Sequence, residues 1–246
     1  MDILESQRKQ DIVLRPWYYA SVSGGKDSLY MLGLILTKPD YFPLDCVVHF
    51  KLETDYPFVR KVMGFVKGLC EKYNIAYMEI TPRVSFADLC IKYGAPTRVA
   101  RWCNSVYKLD CKRQLHKIVR SQMCRPVAYI GFGADELKRC KHLDSPVQVE
   151  RYPLVELGVT DAEILAMVNK HNELFGDFYK YHKRQGCWVC PLQSMGDLAY
   201  LRKFYRDKFD TLVMLARAKE ENEGLTMFGR PIDNILKNLE KERYQL

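Results

Sequence analysis

No stretch of this 246-residue chain approaches the roughly 20 consecutive apolar residues that a transmembrane helix needs. The first 16 residues are polar and charged, without the apolar core of a secretory signal peptide. We therefore expect a soluble protein of the cytoplasm that has no membrane partner. No internal repeat, low-complexity segment or linker divides the sequence. This favours one α/β core with a C-terminal extension packed on it.

The composition is that of an ordinary globular protein, with 48% hydrophobic and 28% charged residues. Nine cysteines are present, which is an odd number. In a reducing compartment, cysteines of this kind favour buried thiols, metal binding or redox chemistry over a framework of disulfides.

Segments with the pattern of strands alternate with segments that have the periodicity of helices, which favours a parallel sheet with helical crossovers. The predicted strands are 17–22, 44–50, 75–80 and 126–131, and the predicted helices are 27–37, 56–73, 86–92, 104–121, 160–174, 197–221 and a last one from residue 232. We predict a doubly wound α/β core over residues 1–157. Residues 158–246 are predicted to form a helical extension that carries a C-x-x-C motif.

The segment from Ser21 to Ser28, with the sequence SVSGGKDS, lies between the first predicted strand and helix. It matches neither the Walker A pattern nor the Rossmann G-x-G-x-x-G pattern. Two adjacent glycines let the backbone approach a phosphate, and the start of a helix adds free N–H groups and a positive dipole end. Ser23 and Ser28 add hydroxyls, and Lys26 adds a mobile positive charge. The segment therefore predicts an anion site, although a plain strand-to-helix turn capped by Ser23 or Asp27 has similar residues.

In this setting the sequence SGGKDS resembles the PP-loop of the adenine-nucleotide α-hydrolase superfamily, which includes ATP pyrophosphatases and phosphoadenylylsulfate (PAPS) reductases. The resemblance implies a five-stranded, mostly parallel sheet and a loop that cradles the phosphates of ATP with Mg²⁺. The residues it assigns to the nucleotide are Ser21, Ser23, Gly24, Gly25, Lys26, Asp27 and Ser28. Lys26 would stabilise the departing pyrophosphate, and Asp27 would position the metal or the loop. We expect both to lie in an exposed loop, where their replacement lowers activity without unfolding the chain.

A second constellation is the turn Gly186-Cys187-Trp188-Val189-Cys190. The C-x-x-C spacing suits a metal, an iron–sulfur cluster or a reactive dithiol. Cys103 lies far upstream, just before a predicted basic helix, and Cys111 follows eight residues later. The cysteines in apolar surroundings, which we expect to be packed thiols, are Cys46, Cys70, Cys90 and Cys124.

Three further segments resemble PAPS reductase-like proteins in the same order along the chain. They are the segment from Arg98 to Lys108 containing Arg101-Trp102-Cys103, the loop Gly131–Arg139, and the segment from Tyr179 to Pro191. The residues carried over are Cys103, Cys187 and Cys190 as ligands of a 4Fe–4S cluster, Gly131, Gly133 and Arg139 as nucleotide-binding residues, and Arg101 as a further catalytic group. Cys111 is the leading candidate for a fourth ligand and Cys140 is its rival. Zinc bound by the same cysteines is the alternative to a cluster.

Two features depart from the assimilatory sulfonucleotide reductases. Trp102 stands where their cluster motif has the first cysteine of a pair, and no cysteine follows Cys190. The intact glycine loop also resembles the members that use ATP. We therefore predict an enzyme that cleaves ATP to AMP and pyrophosphate and transfers sulfur to the activated acceptor. The alternatives are a PAPS or adenylylsulfate (APS) reductase that releases sulfite, and a non-catalytic nucleotide-binding protein with a zinc staple.

The net charge of +8 is concentrated in residues 98–141, which hold eleven lysines and arginines against three acids. A solvated helix face and a surface for a polyanion explain this surplus equally well. The candidate partners beyond the nucleotide are a nucleic-acid acceptor on this basic region, a sulfur-donor protein and a second copy of the chain.

Overall fold

The computed structural model describes residues 14–140, 144–145, 148–241 and 244. Its strands are β1 (Arg15–Ser21), β2 (Cys46–Phe50), β3 (Ala76–Ile80), β4 (Cys124–Tyr129), β5 (Asp144–Ser145) and β6 (Gln148–Arg151). They form one sheet in the order β3-β2-β1-β4-β6-β5. All neighbours are parallel except β5, which pairs antiparallel with β6 at the edge. The predicted five-stranded parallel core, with the first strand in its interior, is therefore confirmed.

The strand order reverses between β1 and β4. From β1 the chain continues outward to β2 and β3, and it then returns to β4 on the other side of β1. In open parallel sheets, ligands bind in the crevice at such a switch point, outside the carboxyl ends of the strands. The segments that follow β1 and β4 contain the two glycine loops singled out in the sequence.

The main helices agree with the sequence pattern, with three local differences. They are α1 (Lys26–Thr37), α2 (Phe58–Lys72), α3 (Phe86–Tyr93), α4 (Leu109–Ser121), α5 (Pro153–Glu156), α6 (Asp161–Lys170), α7 (Asn172–Phe175), α8 (Phe178–Tyr181), α9 (Met195–Phe204), α10 (Arg206–Glu223) and α11 (Ile232–Leu239). A π-helical turn, Cys103–Lys108, precedes α4, and the predicted helices 160–174 and 197–221 are each divided in two. Among the described residues, no helix has the length and apolarity that crossing a bilayer requires.

Helices cover both faces of the sheet. On one face Ala20 packs with apolar residues of α1, α2, α6 and α7. On the other face its neighbour Tyr19 packs with apolar residues of α4, as expected for side chains that alternate along a strand. A third apolar cluster joins α3 to α8–α11. Because α6 and α7 share a cluster with α1, the boundary at residue 157 stays a prediction.

Candidate functional site

The turn after β1 is closed by its own hydroxyls. Ser28 Oγ donates to the carbonyl of Gly25 at 2.9 Å and accepts from the N–H of Ser23 at 3.2 Å. Gly24 has a φ of +84°, and a Cβ at this position would come within 2.8 Å of Val59 Cγ1 on α2. Only glycine satisfies both conditions without strain. The turn therefore places the amino end of α1 directly beyond the carboxyl end of β1.

Lys26 lies inside the protein, so our expectation of a mobile charge in an exposed loop is wrong. Its side chain is 2% exposed, and its ammonium donates to the carboxylates of Asp27, at 2.9 Å, and Asp161. Burial opposes the positive charge, but the hydrogen bonds with Asp161 and Asp27 outweigh it and keep the pKa of Lys26 above its ordinary value. Asp161 is a site residue that the sequence did not reveal. The Thr160–Glu163 capping box located the start of α6, but nothing linked it to Lys26.

The glycine loop bounds a cavity of about 430 Å³ at the switch point. Gly131, which follows β4, approaches the amino end of α1 so closely that a Cβ on it would lie 2.9 Å from the backbone nitrogen of Ser28. The predicted nucleotide residues that line this cavity are Ser21, Ser23, Gly25, Lys26, Asp27, Ser28, Gly131, Gly133 and Arg139. The structure thus brings the residues of both glycine loops to one place.

Gly131→Ala should lower the free energy of unfolding by about 1–3 kcal/mol, because its methyl group would overlap the backbone of α1, which cannot move without disturbing the loop. Gly133→Ala is the matched control, since the nearest atoms to its Cβ would be 3.8 Å away. Denaturant titration of both variants measures the difference. Equal stability of the two variants would contradict the close approach of Gly131 to α1.

The floor of the cavity on the β4 side is aromatic. The guanidinium of Arg139 lies 4.2 Å from the centre of the Phe132 ring and pairs with Glu136. Phe132 in turn stacks on Tyr152 at 5.7 Å between ring centres. Phe132 and Arg139 therefore give this side of the cavity an aromatic and cationic character.

The segment from α8 to the C-x-x-C turn contacts the glycine loop directly. The Tyr179 hydroxyl accepts from the backbone N–H of Lys26 at 2.7 Å. Gln185 makes two hydrogen bonds with Ser23: its Oε1 accepts from the hydroxyl and its Nε2 donates to the carbonyl, both at 3.1 Å. One indication of the contact between Gln185 and Ser23 is present in the sequence, which is that Gln185 directly precedes the Gly186-Cys187 motif.

Cys103, Cys187 and Cys190, which were predicted to share a site and are called the thiol cluster below, all interact electrostatically with one lysine. Lys108, at the end of the π-helical turn, hydrogen-bonds with the thiol of Cys187 and interacts electrostatically with Cys190 and Cys103. Electrostatic attraction to Cys187 raises the pKa of Lys108 by more than burial lowers it. Burial raises the pKa of the Cys103 and Cys190 thiols, and the charge of Lys108 works against that shift. Lys108 thus provides positive charge where thiolates would need it.

A second cavity, of about 210 Å³, connects this cluster to the glycine loop. Its lining residues include Ser21 and Ser23 of the glycine loop, Cys187 of the thiol cluster with its neighbour Lys108, and Gln185. The same two serines and Gln185 also line the larger cavity. Cys187 therefore faces the glycine loop across a shared wall.

The remaining cysteines lie elsewhere or have a different neighbour. Cys111 is fully buried against the sheet with Tyr19 and Leu115, and burial raises the pKa of its thiol to about 11. Cys140 follows Arg139, which lines the larger cavity. Cys90, which we expected to be a packed thiol, is half-buried and interacts electrostatically with Cys103. Within the described ranges, no three or more His, Cys, Asp or Glu residues are arranged to hold a metal ion.

The basic region of residues 98–141 does not form one uniform surface. Lys108 points inward to the thiols, Lys112 pairs with Glu150 at 2.6 Å, and Lys141 lies outside the described residues. The exposed members are Arg98, Arg101, Arg113, Lys117, Arg120, Lys138 and Arg139. Arg101, predicted as a catalytic group, acts electrostatically on Cys103 and is not among the residues that line the larger cavity.

Comparisons with known proteins give the following similarities. No model of a protein family matches the chain. An uncharacterized protein of Methanocaldococcus jannaschii is 25% identical over 270 aligned positions, which cover 98% of this chain and 63% of the relative. A second one is 25% identical over 211 positions, covering 82% of this chain and 42% of the relative. The chain thus spans less than two thirds of the length of these curated relatives.

Two solved structures are also similar. One is a phosphoadenylyl-sulfate (PAPS) reductase from Candida auris in a phosphate complex, with 15% identity, a TM-score of 0.45, and coverage of 72% of this chain and 84% of that one. The other is the U34-tRNA thiolase NcsA from Methanococcus maripaludis with its [4Fe–4S] cluster. It has 19% identity, a TM-score of 0.40, and coverage of 94% of this chain and 83% of that one.

Proposed function

We propose that this protein is a PP-loop enzyme of the adenine-nucleotide α-hydrolase type. It binds ATP on residues 21–28, cleaves it to AMP and pyrophosphate to activate an acceptor, and delivers sulfur to that acceptor at the thiol cluster. The observation that carries the proposal is the shared wall between the two cavities, formed by Ser21, Ser23 and Gln185. Sulfur transfer requires this proximity, because the sulfur nucleophile must reach the activated acceptor without crossing bulk solvent.

The first step uses the glycine loop. An acceptor oxygen attacks the α-phosphorus of ATP, the bond to the β-phosphate oxygen breaks, and pyrophosphate leaves with the negative charge that develops. The donors at this cavity that would stabilise that charge are the backbone N–H groups at the start of α1 and the ammonium of Lys26, which Asp27 and Asp161 hold in the structure. The carboxylates that line the cavity, and from which ligands for Mg²⁺ would come, are Asp27, Asp161, Asp135 and Glu136; the first two pair with Lys26 in the structure.

In the second step a carbon–sulfur bond forms at the activated acceptor, and the carbon–oxygen bond to AMP breaks. The residues that would hold a sulfur-handling group are Cys187 and Cys190 of the C-x-x-C turn together with Cys103, all of which interact electrostatically with Lys108, although the described residues do not form a ready-made metal site. A bound 4Fe–4S cluster would supply an iron that can hold sulfide, and zinc is the alternative occupant. The charge of Lys108 opposes the rise that burial causes in the pKa of Cys103 and Cys190, and Cys187 packs in one apolar cluster with Tyr107.

The acceptor that fits this site is a nucleic acid. Arg98 and Arg101 are exposed on the segment just before Cys103, and Arg113 and Lys117 are exposed on α4, so a polyanion bound there would pass close to Cys103. A sulfur-donor protein and a second copy of the chain remain candidate partners.

Anaerobically purified protein incubated with ATP labelled at the α-phosphate and with bulk tRNA or sheared DNA tests this function. We expect labelled AMP and free pyrophosphate, formed faster with one of the two nucleic acids than with neither. Release of ADP and phosphate would contradict cleavage at the α-phosphate. Sulfite released from PAPS or APS, without turnover of ATP, would contradict the proposal and favour a sulfonucleotide reductase.

A further inference from the structure

Two side chains of the segment from Tyr179 to Cys187 lie directly over the glycine loop. A Cβ on Gly25 would come within 2.9 Å of Gln185 Oε1 and 3.4 Å of the Tyr179 hydroxyl. These are the same atoms that bond to the Ser23 hydroxyl and to the backbone N–H of Lys26. The contact is therefore made at the anion-binding surface of the loop and not beside it.

A phosphate bound to the loop would need those same donors. The N–H of Lys26 begins α1, where helical N–H groups have no partner within the helix and bind anions. One N–H makes one strong hydrogen bond, so a phosphate oxygen and the Tyr179 hydroxyl compete for it. The Ser23 hydroxyl, which donates to Gln185, is subject to the same competition.

Gln185 also lies where the larger cavity and the cavities beside the thiol cluster meet. It lines the larger cavity, the 210 Å³ cavity with Lys108 and Cys187, and a small cavity of about 60 Å³ with Cys187 and Cys190. Only Gly186 stands between Gln185 and Cys187, and a Cβ on Gly186 would meet no atom within 4 Å. A shift of Gln185 therefore acts on a stretch of chain that reaches the Cys187 thiol two residues later.

We propose that Tyr179 and Gln185 form a latch that nucleotide phosphate displaces, so that ATP binding opens the way from the nucleotide cavity to Cys187. This inference rests on the proposed function, since it takes ATP as the ligand of the loop. The latch is closed in the structure, with Tyr179 on Lys26 and Gln185 on Ser23. Phosphate binding and opening of the latch are coupled, and such coupling is reciprocal. A variant that lacks the latch contacts must therefore bind phosphate more tightly.

Isothermal titration with ATP, and with pyrophosphate alone, tests the competition. Tyr179→Phe and Gln185→Ala should each bind either ligand about two- to tenfold more tightly than wild type, the factor expected when one competing hydrogen bond is removed. Tyr179→Phe keeps the ring contacts with Phe175 and Phe178. Tyr181→Phe is the control, because it removes a hydroxyl from a nearby ring that packs on Tyr200, and its affinity should not change. Weaker binding by both latch variants would overturn the proposal, because these groups would then be ligands of the nucleotide.

Hydrogen–deuterium exchange of the as-isolated protein tests the opening. ATP should slow exchange in a peptide covering residues 21–30 and speed exchange in one covering residues 179–190. In Gln185→Ala the second peptide should exchange quickly without ATP and respond little to it. Slower exchange in both wild-type peptides would overturn the latch, since the segment would then close over the nucleotide. If ATP neither binds in the titration nor protects residues 21–30, the proposed function itself fails.

Discussion

Lys26→Met should lower the rate of AMP formation from ATP by about 100-fold or more, because a preorganised donor aimed at developing charge is commonly worth that factor. Methionine keeps most of the volume of the buried lysine stem, so the change removes mainly the ammonium. The side chains of Asp27 and Asp161 would lose the cation between them. We therefore also expect the free energy of unfolding to fall by about 1–3 kcal/mol, as for a partly buried charge that loses its partner.

Lys180→Met is the matched control for this variant. Lys180 pairs with Asp177 at 2.7 Å on the surface, where an ion pair contributes little to stability. Both the rate of AMP formation and the denaturation midpoint should remain at wild-type values. A wild-type rate in Lys26→Met itself would remove the glycine loop from the mechanism.

Cys187→Ser should remove most of the iron bound to anaerobically purified protein. Cys187 lines the 210 Å³ cavity together with Lys108 and Ser23, and no other described cysteine lines both this cavity and the one of about 60 Å³. The measurement is iron content per chain together with the broad absorbance near ~400 nm of cysteine-ligated clusters. Cys103→Ser and Cys190→Ser should have the same direction of effect.

Cys70→Ser provides the comparison, because Cys70 is 3% exposed and packs on the sheet with α2, away from the thiol cluster. Its iron content should match that of wild type. Stoichiometric zinc without iron in the wild-type protein would contradict a cluster and support the zinc alternative. Full retention of iron in Cys187→Ser would contradict the shared site.

A separate pair of variants tests whether Cys111 or Cys140 is the fourth ligand of the cluster. Cys111 lies in the apolar cluster under α4 and Cys140 follows Arg139 of the larger cavity, and neither is among the cysteines that interact with Lys108. We expect Cys111→Ser and Cys140→Ser to keep their bound iron, which would leave one cluster position free for sulfide. Loss of iron in either variant would identify that cysteine as the fourth ligand.

Local features of the site could be predicted from the sequence because they depend on neighbours in the chain. The sequence SGGKDS between an apolar strand and an apolar helix determines a turn that exposes N–H groups, and the structure places it at the switch point between β1 and β4. The start of α6 was equally predictable from the Thr160–Glu163 capping box.

Contacts between distant segments could not be predicted in the same way. Asp161 reaches Lys26 across 135 positions of sequence, and Tyr179 reaches it across 153. No spacing rule links such residues, since only the packing of α6 and α8 against α1 brings them together. The burial of Lys26 was missed for this reason, because a lysine without a visible partner is normally exposed.

The central claim is that ATP and the thiol-bound group occupy one continuous site. Diffraction data collected at the iron absorption edge, from crystals of anaerobically purified protein grown with a non-hydrolysable ATP analogue, test it most directly. We predict an anomalous peak bounded by Cys103, Cys187 and Cys190, with the triphosphate of the analogue on residues 23–28. A peak at any other group of cysteines, or an analogue bound away from the glycine loop, would contradict the account.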